Sequence, residues 1–382
     1  MARHLQTYLD YNATAPVYAA VVDAVAETFN TVGNPSSVHQ AGRRARARVE
    51  AAREAVAALV GASPRNIVFT SGGTEANNMA LCGLAIDRLI MTPVEHESVR
   101  QIADATGAAV EVMAVDRNGL PDLEDLDRRL AAGDGSTLVS AMLANNETGV
   151  ILPVAQMARI ARAHGALFHT DAIQAAGKIS VDFDALGVDL MSLSAHKLGG
   201  PQGVGALVVR DNLDLRPLLR GGGQELRRRA GTENIPGIVG FGVAAKIARQ
   251  HLDDMNRIAA LRDRLEADIG KLVPEAIVFG QGAPRLSNTT CVAVRGVSSE
   301  TQIMALDLEG ICVSAGSACS SGKVTPSHVL AAMGAGEDLA RCAIRISLGW
   351  GSTSGDVERF LEVWPPLIAR MAQGNSSKRQ AS

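Results

Sequence analysis

The sequence predicts an α/β protein in which a mostly parallel sheet carries helices on both faces and is joined to a smaller α+β domain. Three observations carry this. Short apolar runs alternate with helical patterns from residue 66 to residue 210, the alternation that builds βαβ units. Six polar residues, Thr74, His96, Asn146, Asp171, Gln174 and Lys197, each fall at the end of such a run, where open α/β sheets gather functional groups. Beyond Glu275, strands follow one another with few helices between them. At 382 residues the chain is long for one core, and two domains are expected.

Taken in order, Tyr8–Pro16 reads as a short strand running into a turn, with Pro16 opening a helix over Val17–Asn30. Gly33-Asn34-Pro35-Ser36-Ser37 is a loop by its turn chemistry. The Arg- and Ala-rich stretch His39–Val60 is helical and stops at Gly61. Asn66–Thr70 is a strand that runs through Ser71-Gly72-Gly73-Thr74 into a helix ending near Leu84. A strand, a glycine turn and a helix N-terminus together point free N–H groups at one spot, which suits a phosphate.

Leu89–Met91 is the next strand, with His96 just past its end. Strands follow at Ala108–Val115 and Thr137–Leu143, the second leading to Asn145-Asn146-Glu147-Thr148-Gly149. After a helix over Val154–His164, the strand Ala166–Asp171 ends on an acid, with Gln174 close behind. The apolar run Val188–Leu193 leads into Ser194-Ala195-His196-Lys197-Leu198-Gly199-Gly200. A lysine that ends a buried run and precedes a glycine loop is placed for a lowered pKa, the usual material for an imine link.

A strand at Val204–Val209 precedes the glycine-rich, basic stretch Gly221–Asn234, and one long helix from Pro236 through Asp263 crosses to the second domain. There, Ala276–Phe279 and Thr289–Val294 are strands and Glu300–Leu308 a helix. Cys312–Lys323 is rich in Ser, Gly and Ala and reads as an exposed loop with the Cys319 thiol in its middle, the setting of a reactive cysteine. Cys82, Cys291 and Cys342 sit in apolar periodic segments and read as core. Arg345, inside the alternating strand Ala343–Gly349, wants a carboxylate partner, structural or substrate.

The formal net charge of −3 and the 3% aromatic content argue against a nucleic-acid partner. No apolar run reaches the roughly 20 residues of a membrane span, and the opening residues show no signal-peptide core. Five cysteines without C-x-x-C spacing point away from a disulfide framework or a resident metal and toward a reducing cytoplasm.

A lysine able to form an imine, a phosphate cradle, a carboxylate at a strand end and a nearby histidine fit pyridoxal 5'-phosphate: the carboxylate keeps the pyridine nitrogen protonated and the ring acts as an electron sink. The motifs Tyr8–Pro16, Phe69–Asn78, Asn145–Gly149, Thr170–Gln174, Ser194–Lys197, Ala230–Asn234 and Ser317–Gly322, in this order and spacing, resemble those of fold-type I pyridoxal phosphate enzymes of the cysteine desulfurase family, in the NifS and IscS group. The match runs from Tyr8 to about Gly355.

The resemblance implies a fold-type I transferase. A seven-stranded large domain over 15–255 would bind the cofactor, and a small domain of 1–14 and 256–370 would carry the cysteine loop, leaving 371–382 as a disordered tail. It implies that Lys197 holds the cofactor, Asp171 pairs with the ring nitrogen, Gln174 meets the ring hydroxyl and His96 stacks on the ring. Gly73, Thr74, Ser194 and His196 would hold the phosphate, joined by Thr232 of the partner subunit in a homodimer. Asn146, Arg345 and Asn34 would bind L-cysteine, and Cys319 would take its sulfur as a persulfide and leave alanine.

The implied acceptor is a protein such as an iron–sulfur scaffold, and an iron–sulfur cluster would meet the chain only transiently, at Cys319. Leu226 stands where many relatives have arginine, and Gln202 where a lysine is common. The tail does not resemble the scaffold-docking ending of housekeeping relatives, which leans toward the nitrogen-fixation branch. Selenocysteine lyase, another elimination or transamination enzyme, and a non-catalytic scaffold are the competing readings, and Lys197 with Cys319 speaks against the last.

Overall fold

The computed structural model describes residues 6–211, 213–316 and 326–380. Strand β1 (Thr7–Tyr8) leads through an extended segment to helices α1 (Ala19–Phe29) and α2 (Gln40–Leu59). Helix α1 starts at Ala19, two residues later than the Val17 expected from Pro16. The Ala15 and Tyr18 N–H groups donate to the carbonyls of His196 and Gly199, so this stretch is held extended against the loop around Lys197, and Tyr18 (φ −66°, ψ 142°) becomes the residue before the helix.

The large sheet then accumulates from β2 (Ile67–Thr70), α3 (Gly73–Cys82), β3 (Arg88–Met91), α4 (Glu97–Ala103), β4 (Ala109–Val112), α5 (Leu123–Ala131), β5 (Thr137–Ser140), α6 (Val154–Ala163), β6 (Leu167–Asp171), α7 (Phe183–Leu186), β7 (Leu190–Ser194) and β8 (Gly205–Val209). Its seven strands lie in the order β2-β8-β7-β6-β5-β3-β4. Only β8 is antiparallel to its neighbours β7 and β2; the other pairs are parallel. Alternate residues feed two cores. Val208 and Ala206 of β8 pack on one face with Met191 and Leu193, while Leu207 and Val209 pack on the other with Leu190. A sheet buried on both faces needs apolar residues at nearly every position, which is why these strands read as continuous runs rather than alternations.

Helix α8 (Ile235–Gln250) packs across α1 and α2. The single long helix expected over 236–263 is instead two: α8 ends at Gln250 and α9 (Met255–Leu272) begins after a tight turn at Leu252–Asp254. His251 Nδ1 lies 2.7 Å from Asp254 Oδ2 across that turn, and Asp253 and Asp254 put negative charge at the start of α9, which its dipole favours.

The small unit comprises β9 (Ile277–Val278), β10 (Thr289–Ala293), α10 (Ser299–Leu308), β11 (Ile311–Cys312), β12 (Ser314–Ala315), α11 (His328–Ala332), α12 (Glu337–Ala340), β13 (Ala343–Ser347) and α13 (Ser354–Gln380). Its sheet is antiparallel in the order β12-β13-β10-β9, and β1 pairs in parallel with β11. A third core gathers Leu9 with residues from Ile258 to Ile368 around the stacked rings of Phe360 and Trp364. The last helix does not stop at residue 370 as the polar tail suggests; it continues to Gln380. Burial of Phe360, Trp364, Leu367 and Ile368 nucleates it, and extending a formed helix is far easier than starting one.

Candidate active site

The carboxyl ends of β3, β5, β6 and β7 open on a cavity of about 340 Å³. Gly73, Thr74, His96, Asn146, Asp171, Gln174, Ser194, His196, Lys197 and Arg345 all line it. Ten residues spread over more than 270 positions are thus brought to one place, among them the six strand-end residues Thr74, His96, Asn146, Asp171, Gln174 and Lys197. Asn34 and Thr232 are not among the lining residues. Asn34 is exposed and its Oδ1 accepts from the Ser36 N–H within its own loop. Thr232 is exposed beside Ser71 and Arg229, in a separate hollow. Cys319 lies outside the described residues.

One end of the cavity is built from backbone. Gly72 (φ 157°, ψ 179°) precedes α3 in a conformation open to glycine and little else. The first N–H that closes the helix is that of Ala76, onto Gly72 O, which leaves the N–H groups of the first helical residues without a partner in the helix itself. A Cβ added at Gly73 would lie 2.2 Å from Ile173 Cδ1 and 3.4 Å from Ser194 Cβ, two other cavity walls.

Lys197 ends the short turn after β7 and is largely buried. Its Nζ donates to the main-chain oxygens of Asn12 (2.6 Å) and Ala13 (2.7 Å). Burial lowers its pKa to about 8; Arg345 adds to the effect, and Asp10 and Asp171 oppose it. His196 is pushed down to about 4, mainly by burial and then by Lys197, so it faces the cavity neutral, with Nδ1 3.2 Å from Thr14 Oγ1.

Asp171 sits at the tip of β6, fully enclosed. Asn77 Nδ2 donates to its Oδ2 (2.7 Å) and the Ile173 N–H to its Oδ1 (2.9 Å). Burial raises its pKa, against these donors and the nearby His96 and Lys197. The same Asn77 amide donates to Ser98 Oγ (2.8 Å), which lies 2.8 Å from His96 Nδ1. A hydrogen-bonded chain therefore joins His96 to Asp171 through Ser98 and Asn77.

Arg345, in the middle of β13, has its carboxylate already. Nη2 donates to Asp10 Oδ1 (2.8 Å), Nη1 to the Asn146 carbonyl (3.1 Å), and Nε is buried without a partner. Asp10 is fixed in turn by Ser314 Oγ (2.7 Å).

Sequence reasoning missed Asp10, Asn12, Asn77, Ser98 and Lys178. The first two lie in the Tyr8–Pro16 motif, and Asn77 lies in the Phe69–Asn78 motif; Lys178, four residues after Gln174, offered no signal beyond its place on the same turn. Buried Glu95 and Glu147, with carboxyls raised by burial to about 8 and about 7, flank the site. Glu147 accepts from Ser327 Oγ and Glu95 from the Met142 N–H.

The donors suit a phosphorylated pyridine aldehyde. The helix N-terminus, Thr74 and Ser194 offer N–H and O–H groups to a phosphate. Asp171 offers an enclosed carboxyl to a ring nitrogen, Gln174 an amide to a ring oxygen, and Lys197 an amine with lowered pKa to an aldehyde.

Residues 7–360 match the aminotransferase class-V family. A protein named cysteine desulfurase of Cereibacter sphaeroides is 45% identical over 96% of this chain and 96% of its own. Cysteine desulfurase 2 of Trichormus variabilis is 42% identical over 95% of this chain and 93% of its own. Among solved structures, a NifS-like protein from Rickettsia africae superposes with a TM-score of 0.90 at 34% identity, over 96% of this chain and all of that one. A structure described as SspA in complex with cysteine superposes with a TM-score of 0.76 at 34% identity, over 90% of this chain and 99% of that one.

Proposed function

The chain belongs to the aminotransferase class-V family, and we propose on that footing how its residues divide the work. It is a pyridoxal phosphate-dependent L-cysteine desulfurase that serves iron–sulfur cluster assembly. The observation that carries the assignment of roles is the meeting, in one cavity, of a lysine with a lowered pKa, an enclosed carboxylate tied to a histidine, and a helix N-terminus.

When bound, pyridoxal phosphate supplies the electron sink that loosens bonds in the substrate. Asp171 keeps a proton on the ring nitrogen, its position set by Asn77 and Ile173. His96 covers the ring face, anchored by Ser98. Thr74, Ser194 and the backbone at Gly73 receive the phosphate, with His196 neutral beside them. Lys197 anchors the cofactor and, once released, moves protons at the reacting carbon; the carbonyls of Asn12 and Ala13 hold the free amine within reach. Arg345 takes the carboxylate of L-cysteine, for which its unpartnered Nε gives a fork when Nη2 turns from Asp10. Cys319 receives the sulfur as a persulfide, and L-alanine leaves.

The exposed position of Thr232, outside the cavity of its own chain, suits a homodimer in which the residue serves the other subunit. The acceptor is an iron–sulfur scaffold protein. No helix among the described residues is long and apolar enough to cross a membrane, and we assign the protein to the cytoplasm.

The test is Cys319→Ser. The variant binds cofactor with an unchanged visible spectrum but releases neither alanine nor sulfide from cysteine. Retained turnover would remove Cys319 from the chemistry.

A further inference from the structure

Lys178 has no part in the reading above, yet it is buried, and no carboxylate meets its amine among the described residues. Its Nζ is 2.6 Å from Gln174 Oε1 and 3.0 Å from Asn12 Oδ1. Burial drives its pKa well below the ordinary lysine value, and Lys197 and Arg345 push the same way. The other titratable groups on its side are Tyr11, Tyr18, His251 and Asp254, which line the small cavity behind Lys197 with it. Lys178 has two amide oxygens to receive its N–H groups.

Both amides are oriented by main-chain oxygens, which can only accept, and Asn12 also by the Thr289 hydroxyl, whose proton goes to Asn288 Oδ1 at 2.9 Å. Asn12 Nδ2 donates to the main-chain oxygen of Asn146 and to Thr289 Oγ1. Asn12 Oδ1 is thereby turned to Lys178 and to Asn288 Nδ2, 3.0 Å away. Gln174 Nε2 donates to the main-chain oxygen of Asn12 at 2.9 Å, which turns its Oε1 to Lys178. One of the two Gln174 amide N–H groups is used in this way, and the second is available to the cavity that Gln174 lines.

We propose that Lys178 is a positioning residue: from behind the cavity its amine holds the Gln174 amide so that it presents an N–H, and not an oxygen, to the ring oxygen of the bound cofactor. This rests on the assignment of Gln174 to that oxygen. Without Lys178 the Gln174 oxygen loses its buried donor and only the Asn12 main-chain oxygen still holds the amide, so its N–H is presented less firmly to the cofactor. An N–H facing the ring oxygen favours its anionic form, and an oxygen facing it disfavours that form.

The experiment is a pH titration of the visible spectrum of the holoenzyme, with cofactor affinity measured in parallel. In Lys178→Met the spectral midpoint rises by about one pH unit, a tenfold change in the protonation equilibrium. Lys178→Gln, which restores N–H donors without charge, brings it back toward the wild-type value. In a Gln174→Ala background the Lys178→Met change adds no further shift, because the amide it acts through is gone. An unchanged midpoint in a folded Lys178→Met protein overturns the proposal, as does a shift that persists undiminished without Gln174. Should Lys178→Met fail to fold, Lys178→Leu with and without Gln174 decides it: a raised midpoint that vanishes without Gln174 supports the role, and an unchanged midpoint or equal shifts in both backgrounds overturn it. A wild-type chain that develops no visible band with pyridoxal phosphate would instead remove the cofactor reading, and the inference with it.

Discussion

Gly73→Ala tests the phosphate end of the cavity without touching a charged group. The residue is helical rather than left-handed, so alanine is acceptable to the backbone and a better helix former. The obstacle is space: the new methyl would stand 2.2 Å from Ile173 Cδ1 and 3.2 Å from its Cγ1. Carbon atoms settle at about 3.5–4.0 Å, so the end of Ile173 must retreat by more than about 1 Å. Relieving an overpacked contact of this kind costs about 1–3 kcal/mol. Ile173 and Ser194 both wall the cavity, and the cost falls on the state that needs the cavity open. We therefore expect cofactor affinity to fall about 5- to 150-fold, with little change in the melting temperature of the apoprotein.

The assay is titration of apoprotein with pyridoxal phosphate, followed by the visible band and by intrinsic fluorescence. Ile173→Val removes the atom at 2.2 Å and leaves the one at 3.2 Å; alone it costs about 1 kcal/mol of stability. Combined with Gly73→Ala it recovers most of the lost affinity. Wild-type affinity in Gly73→Ala, or no recovery in the double variant, would refute the reasoning.

Arg345→Lys keeps a charge but loses the fork, and should raise KM for cysteine at least about tenfold while the cofactor spectrum stays unchanged; steady-state kinetics decides. Capture of cofactor by apoprotein needs Lys197 neutral. With its pKa lowered to about 8, the capture rate should fall about tenfold per unit below that pH and level off above it, as stopped-flow absorbance would show; a profile still rising near pH 10 would place the amine in water. Glu225→Ala removes the carboxylate that holds both Arg53 Nη atoms at 2.8 Å and 2.9 Å and leaves Arg53 only the Glu50 carboxylate, 3.2 Å from Nε. It should cost about 3 kcal/mol in urea unfolding, and Arg53→Met added to it should cost less than the two changes summed.

The sheet was legible because βα units leave a repeating trace, and the rim residues because strand ends are where such sheets place polar groups. Lys197, Asp171 and His96 each stand out against apolar runs. Asp10 and Asn12 did not, since their partners Arg345 and Ser347 are more than 300 residues distant. An asparagine in a turn motif looks the same whether it faces solvent or sits enclosed with seven hydrogen-bond partners. The break at Leu252–Asp254 was hidden because helical periodicity continues through it; only the His251–Asp254 contact and the acidic start of α9 mark the boundary. Arg345 was correctly read as needing a carboxylate, but the sequence could not say that Asp10 already supplies one.

Residues 7–12 also close the site. Tyr8 pairs with Cys312, Asp10 meets Arg345, and the Asn12 N–H donates to Ser347 Oγ. On a ribosome, residues 7–12 emerge well before these partners, which lie more than 300 positions later. The large sheet can assemble meanwhile from contacts between nearby segments, a faster process than pairing across the chain. Asn12 O and Ala13 O, the two oxygens that receive the Lys197 amine, settle only when that late pairing is made. Birth of a competent enzyme is thus timed by the arrival of β13, and a nascent chain halted before it would hold a formed sheet but an unfinished lysine.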